Sequence, residues 1–452
     1  MRKKAILPLL FIGVGITTSV NAQNAGTQNS TSFTLQQAID YSLKNSPNYL
    51  NAEYDVENAA YKRKELLGVG LPQVNGSVDL KDYLEIPTSL LPAQIFGGPA
   101  GTFTPVKFGT KYNATAGLSA SQLVFSSDYI VGLKAAKELI NLARISVYRT
   151  KTELASSVSK AYYNVLVNQE RIKLLDANIV RLKKAFDDTK AFNQQGLVEL
   201  IDVERLEVQY NNLVTEKEKT TRLIELSANL LKFQMGYKIG DPLTLSDSLT
   251  VNETDQSTLG GGKLDLSNRP DFQLLQVQQK LYGIDLKRQR LGYIPTLNLY
   301  GSYQYNAQRQ KFDFFDQSQK WFKIAIIGGT LNFTLFDGLQ RHNRIQQAKM
   351  AILKGENTIK NLELAAELET TMSQISYTNA YASLQTQKRN MQLAQHVFDV
   401  AQKKYEQGVG SNLEVTTAQT SLKEAQTNYY NSVYDMLVAK IDYQKAIGTL
   451  IK

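Results

Sequence analysis

The side chains able to do chemistry in this chain are few and scattered. Among 452 residues there is no cysteine. Disulfides, thiolate metal sites, cysteine nucleophiles and a lipid-anchored N-terminal cysteine are therefore excluded. The two histidines, His342 and His396, stand far apart on helical sequence and read as helix-surface residues rather than a metal pair or part of a triad. Six methionines spread thinly offer no soft metal cluster. Carboxylates are plentiful, and a pair of them could hydrolyse a glycoside. Here they lie on helix surfaces, with no α/β pattern to form a pocket around them. Gly260-Gly261-Gly262 lacks the strand-to-helix context of a phosphate loop. No catalytic residue, cofactor or metal ligand emerges, so an extracytoplasmic enzyme is the weaker reading.

The charge pattern adds a second exclusion. Net charge is +9, and lysines and glutamates mix along helices as on solvated faces, not as a nucleic-acid patch. The start reads as a secretory signal over residues 1–22: basic Arg2-Lys3-Lys4, apolar Ala5 to Val14, and a small-residue cleavage site at Val20-Asn21-Ala22. Without its three basic residues the net charge is about +6. After it no run of 18 apolar residues occurs, so no transmembrane helix is expected.

What the chain does carry is a design stated twice. Gln195-Gly196-Leu197-Val198 and Asp202 return in the second half as Gln407-Gly408-Val409-Gly410 and Glu414. Asn45-Ser46-Pro47-Asn48-Tyr49 returns as Asn268-Arg269-Pro270-Asp271-Phe272, and Pro72 matches Pro295 at the same offset. The chain is a tandem duplication, with repeats over 23–239 and 268–452 joined by 240–267. The offset is smaller at the glycine turns than at the prolines, so the first copy carries extra residues between Pro72 and Gln195.

No proline lies between Pro105 and Pro242 or after Pro295, and those stretches are rich in good helix formers. Ser126 to Gln195 and Asp337 to Gln407 each read as one helix of about 70 residues, near 105 Å long. Gly196 and Gly408 suit left-handed caps, after which return helices run over Val198 to Tyr237 and Leu413 to Ile447. Long helical hairpins are thus expected at 126–237 and 337–450. Leu166, Ile172, Leu175, Ile179 and Leu182 recur at three- and four-residue steps and mark one buried stripe. A hairpin with a single stripe needs lateral neighbours. Asp202 and Glu414 both fall in the first turn of a return helix, where an acid complements the dipole.

Before each long helix the apolar period changes to two, over about 72–84, 111–125, 294–306 and 322–336. These read as four strands, each with one apolar and one polar face. A small soluble sheet and a lipid-facing barrel wall both fit that pattern. Three features favour the barrel. The strands have the length that a tilted membrane strand needs. Aromatics such as Phe103, Tyr112, Phe315 and Trp321 cluster at the strand ends. The signal directs the chain out of the cytoplasm. Four strands cannot close a barrel, and open edges cannot face lipid, so other protomers must complete it. The proline-bearing stretch Glu85 to Gly109 reads as a long loop, and glycine-rich 240–267 as a flexible surface linker.

From about Phe33 to Leu450 the ordered set of features resembles the TolC family of outer membrane efflux proteins. The duplication and the two strand pairs carry the likeness. So do Leu335-Phe336-Asp337-Gly338, Tyr405-Glu406-Gln407-Gly408, Leu413-Glu414-Val415-Thr416-Thr417-Ala418-Gln419 and Ala446-Ile447-Gly448-Thr449-Leu450. The resemblance implies a mainly α fold with a membrane β-barrel portion: a homotrimer with a twelve-stranded barrel in outer membrane lipid and an α-helical tunnel in the periplasm. It implies an export channel joined to a periplasmic adaptor and an inner-membrane RND or ABC transporter.

By the same resemblance the two glycine turns form the periplasmic tip. Glu414 falls on an acidic ring position at the narrowest point, and Thr417 stands where some relatives carry a second acid. Asp202 and Tyr405 match a pair that latches the closed state, and Gly410 replaces a reinforcing arginine. Gly196, Leu197, Val198, Gly408, Val409 and Gly410 match the turns that adaptors grip. The competing readings are a type I protein secretion duct and a non-porous helical surface or adhesion protein.

Overall fold

The computed structural model describes residues 32–249 and 264–451. The signal segment 1–22 and the glycine run Gly260 to Gly262 lie outside the described residues. The elements in chain order are β1 (Ser32–Phe33), α1 (Leu35–Asn45), α2 (Pro47–Val69), β2 (Gln73–Asp82), β3 (Thr88–Pro92), β4 (Phe103–Lys107), β5 (Tyr112–Phe125), α3 (Ser127–Gln194), α4 (Leu200–Met235) and β6 (Thr244–Leu245). The second repeat follows as α5 (Pro270–Leu291), β7 (Thr296–Arg309), β8 (Phe322–Asn332), α6 (Gln340–Glu406) and α7 (Asn412–Ala446).

Two helices set the length of the molecule. α3 has 68 residues and α6 has 67, so each runs about 100 Å. Neither contains proline. α3 starts at Ser126, whose hydroxyl accepts from the Tyr129 N–H at 3.3 Å. α6 starts after a tighter turn, with both Gly338 and Leu339 at positive φ (64° and 65°). The Asp337 carboxylate accepts from the Arg341 N–H at 3.0 Å and so holds that turn.

Each long helix is covered in two pieces. α4 and α7 pack along the lower half, and α2 and α5 along the upper. The contacts order the helices side by side as α2/α4, α3, α5/α7 and α6. Between α3 and α4 the core is Leu175, Leu182, Leu206 and Leu213, at seven-residue spacing on both helices, which is the seam of a two-stranded coil. Leu166, Leu175 and Leu182 of the expected stripe are buried, and Ile172 and Ile179 are half-buried.

One sheet joins the two repeats. Its order is β2-β5-β7-β8, all antiparallel. One face carries the rows Val74, Ala120, Gly301, Ile327 and Gly76, Leu118, Tyr303, Ala325. The other carries Asn75, Ser119, Ser302 and Ser77, Gly117, Gln304. The face assignment holds for three strands and fails in part for the fourth. β8 places Phe322, Ile324 and Ile326 on the polar side as well. It also stops at Asn332, short of the expected 336. Asn332 pairs with Thr296, and the next residue outward is Pro295, which has no N–H to give. Nothing among the described residues covers the apolar face at mid-sheet: Val78 is 84% exposed and Ile327 92%.

Two further expectations are corrected. The loop from Glu85 to Gly109 contains a hairpin, β3 with β4, in which Leu90 pairs with Pro105. The linker is not free at its start. Thr244 and Leu245 pair in parallel with Ser32 and Phe33. Asp247 accepts from the Leu35 N–H at 2.9 Å, and Tyr162 Oη lies 2.8 Å from Asp247 Oδ2 and 3.0 Å from the Phe33 carbonyl oxygen. Leu243, Leu245 and Leu249 pack on the buried cluster of Phe33, Val158, Tyr162, Leu231 and Met235.

Burial, and then the bond to Asp247, push the Tyr162 phenol above its ordinary 10.0. A raised pKa in the folded state stabilises below the unfolded value and is lost as pH rises through the folded one. Tyr162→Phe is therefore expected to lower stability by about 1–2 kcal/mol at pH 7. The wild type should lose this margin progressively above about pH 10. Thermal unfolding in detergent at pH 7 and pH 11 checks both effects.

Candidate functional site at the hairpin tips

The α3–α4 and α6–α7 turns lie at the end of the helices far from the sheet. Both close the same way. Gly196 and Gly408 each have φ of 75°. The Leu197 N–H donates to the Phe192 carbonyl at 2.9 Å and the Gly196 N–H to the Asn193 carbonyl at 2.9 Å. The Val409 N–H donates to the Lys404 carbonyl and the Gly408 N–H to that of Tyr405, each at 3.0 Å. This paired pattern satisfies the last carbonyls of a helix through a left-handed residue. Leu197 and Val409 are exposed at the apex, Val198 half-buried beside it.

Past the apex the copies diverge. In the first, Asn193 Nδ2 donates to the Val198 carbonyl at 2.8 Å. The matched position in the second copy is Tyr405, and the Gly410 N–H instead donates to the Lys404 carbonyl at 3.1 Å. Gly410 has no room for a side chain: a Cβ there would sit 2.9 Å from Lys404 Cβ and 3.0 Å from the Tyr405 nitrogen. The arginine of relatives could not enter without shifting the turn. Ser411 then caps α7, accepting from the Glu414 N–H at 3.2 Å.

The acidic residues fall into different settings. Asp202 is held by two partners. Asn412 Nδ2 donates to its carboxylate at 3.0 Å and to its main-chain carbonyl at 3.1 Å, and Arg205 stands 3.7 Å away. The expected bond from Tyr405 to Asp202 is not formed; the side chain that donates to that carboxylate is Asn412. The Tyr405 hydroxyl is buried and has no hydrogen-bond partner among the described residues. Glu414 is exposed, and with Thr417 it lines a groove of about 620 Å³ between α6 and α7, together with His396, Val400, Lys404 and Leu413. The Thr417 hydroxyl donates to the Leu413 carbonyl at 2.8 Å.

Asn412 is the site residue that sequence reasoning missed. The matched position in the first copy is Leu200. An amide standing where the other copy has an apolar residue was the available signal.

A layer of long antiparallel helices ending in capped turns, under an antiparallel sheet with an exposed apolar face, is also the fold of solved outer-membrane channel chains. Residues 263–449 match the family model for outer membrane efflux proteins, which is the second repeat. Outer membrane protein TolC of Vibrio cholerae serotype O1 is 19% identical over 340 residues, covering 74% of this chain and 77% of that protein. TolC of Escherichia coli is 20% identical over 357 residues, covering 76% and 71%. The Campylobacter jejuni CmeC outer membrane channel has the same fold, with a TM-score of 0.72, 16% identity, and coverage of 95% of this chain and 91% of that one. The second repeat matches the outer membrane efflux protein family, the chain as a whole is similar to TolC-family outer membrane proteins, and it resides in the outer membrane.

Gly408→Ala forces a side chain into the left-handed region, at about 1 kcal/mol. Because the tip is remote from the main cores, the global melting temperature should stay put while amide exchange at Val409 speeds up about fivefold. Mass-resolved hydrogen exchange of the tip peptide measures this.

Proposed function

We propose that three copies of this chain form an export duct that carries cargo from an inner-membrane RND or ABC transporter, through a periplasmic adaptor, across the outer membrane. The observation that carries the reading is the four-stranded sheet. Its outer strands β2 and β8 have unpaired edges, and its apolar face is bare. Such edges are unsustainable in hydrocarbon. Pairing β8 of one copy with β2 of the next removes them, and three copies give an even twelve strands.

The helices support the same joint. α6 closes one side of the layer and exposes Leu364, Leu368, Met372 and Ile375 at helical spacing. α4, on the opposite side, exposes Leu223, Leu226, Leu230 and Phe233. Two apolar stripes on opposite flanks of one layer suit ring closure by further copies. A twelve-helix tube of α3 length reaches about 100 Å below the membrane.

In this ring the exposed turns at Gly196 to Val198 and Gly408 to Gly410 are the surface offered to the adaptor. Three copies of Glu414 bring carboxylates toward one axis, which favours cations and hinders anions. The chain itself does no bond-making chemistry, and the transporter selects the cargo. A non-porous adhesin has no use for a lipid-facing sheet, which weighs against that alternative.

The test is single-channel recording of purified trimers in a planar bilayer. Small cation-selective openings that lose selectivity in Glu414→Ala are expected, and silence from demonstrably folded trimers would sink the reading. The sheet is tested apart from conduction. Ile327 stands midway along the apolar face of β8, so Ile327→Lys should cost about 2–4 kcal/mol in a bilayer, whereas Ser302→Lys on the opposite face should cost little. Folding titrations into lipid vesicles compare the two.

A further inference from the structure

Charge interrupts the apolar face of the sheet at its end away from the helices. Two cations share the face of Tyr303, Tyr305 and Ile327: Arg309 at the end of β7 and Lys323 near the start of β8. Arg309 is buried and already used. It pairs with Asp313 at 3.3 Å and donates to the Lys320 carbonyl at 2.7 Å. Lys323 is exposed, and the contact it makes is with a ring: its Nζ stands 5.9 Å from the centre of Tyr305. On the opposite face at the same end the lysine is Lys81, which pairs with Asp79 at 3.0 Å.

The surroundings of Lys323 have the character of a head-group site. Tyr305 lies directly across from it, and Tyr303 one row nearer the helices. The two rings meet edge to face at 5.5 Å, and their hydroxyls are 3.3 Å apart. Beyond them the β7–β8 connection folds back over this face. Phe314 is buried on Ala114 and Ala307, with Tyr112 and Trp321 packed against it. An ammonium and two phenols therefore sit between an aromatic shelf and the bare apolar surface of Val78, Leu118 and Ile327.

The depth agrees. From Leu297 to Tyr305 a strand tilted by about 40° climbs about 20 Å, most of the apolar band of about 25 Å on a membrane barrel. Lys323 pairs with Tyr305, so it falls at the outer boundary of that band, where head groups begin. A lysine at mid-bilayer would be costly; one at this level meets polar groups.

We propose that Lys323, with Tyr303 and Tyr305, holds the phosphate of a phosphorylated lipid in the outer leaflet. The ammonium brings charge and three donors, and each phenol one more. Together they suit the several charged acceptor oxygens of a phosphate. The acyl chains lie along Val78, Leu118 and Ile327, and the site fixes the height of the barrel in the membrane. The proposal rests on the barrel of the preceding section for which face meets lipid, and it does not depend on conduction.

Lipid retention by purified trimers tests it. Trimers in neutral detergent are titrated with diphosphoryl lipid A, and bound copies are counted by native mass spectrometry. The parent should retain one lipid per chain. Lys323→Gln should weaken binding about tenfold, as for one lost charge-assisted hydrogen bond, and Lys323→Arg should restore it. Tyr305→Phe keeps the ring under the lysine and removes one donor, for a loss of about threefold. Lys81→Gln, on the other face, should change nothing. A lipid A analogue without phosphate should bind the parent no better than the intact lipid binds Lys323→Gln. Unchanged affinity in folded Lys323→Gln trimers, or equal binding of the phosphate-free analogue, would overturn the site. Full displacement of the lipid by inorganic phosphate would show a bare anion site and overturn the lipid. The barrel reading fails separately. Loss of binding in Lys81→Gln in place of Lys323→Gln would sink the face assignment and the site together. Binding indifferent to both variants, with Ile327→Lys still costlier than Ser302→Lys in vesicles, would sink the site alone.

Discussion

Backbone amides and carbonyls in hydrocarbon must find partners within protein, and this chain cannot provide them all by itself. Its sheet has four strands and two open edges. The same shortage appears among the helices, where the layer ends on both flanks in exposed apolar stripes. Both deficits face the same way around the molecule, so one operation, adding a neighbour, answers both. The rest of the fold keeps those two deficits aligned. α3 follows β5 after the single residue Ser126, α6 follows β8 through the turn at Gly338 and Leu339, and each then runs unbroken to the tip.

The duplication has been used unevenly. The turn geometry is shared between the copies to the level of individual hydrogen bonds, because a left-handed glycine and its two closing bonds satisfy the end of a long helix with the fewest residues. The residues just beyond it are not shared. Asn193 and Tyr405, Leu200 and Asn412, Asp202 and Glu414 occupy matched positions and make different contacts. One copy supplies the acceptor and the other the donor of the inter-hairpin tie.

Much of this was legible in the sequence, and the reasons are physical. Periodicity reports which faces are apolar, so the long helices, the stripe at Leu175 and Leu182, and the strand pairs could be placed within a few residues. Glycine at a positive φ reports a turn, so both tips were located. What failed to show was whatever depends on a distant partner. The Thr244-Leu245 strand is two residues long and exists only because Ser32 and Phe33 lie beside it. Asp247 looks like any linker acid until Tyr162 is placed against it. β3 and β4 hide in a proline-bearing stretch whose local signals all say loop. The expected Asp202 to Tyr405 bond was carried over by resemblance; the Asp202 carboxylate instead accepts from Asn412, whose matched residue in the first copy is Leu200.

The seam between the repeats also has a consequence for biogenesis. β5 and β7 are the two central strands, yet Ala116 and the Tyr305 it pairs with are separated by almost the whole first hairpin and the linker. Contacts so remote in sequence form late. During export the first repeat emerges with β5 paired on one side only, its other edge open, and an apolar face already made. Until the second repeat follows, that half is a sticky two-stranded ribbon moving through water. The order of synthesis thus leaves that edge open until its sister strand β7 has been made.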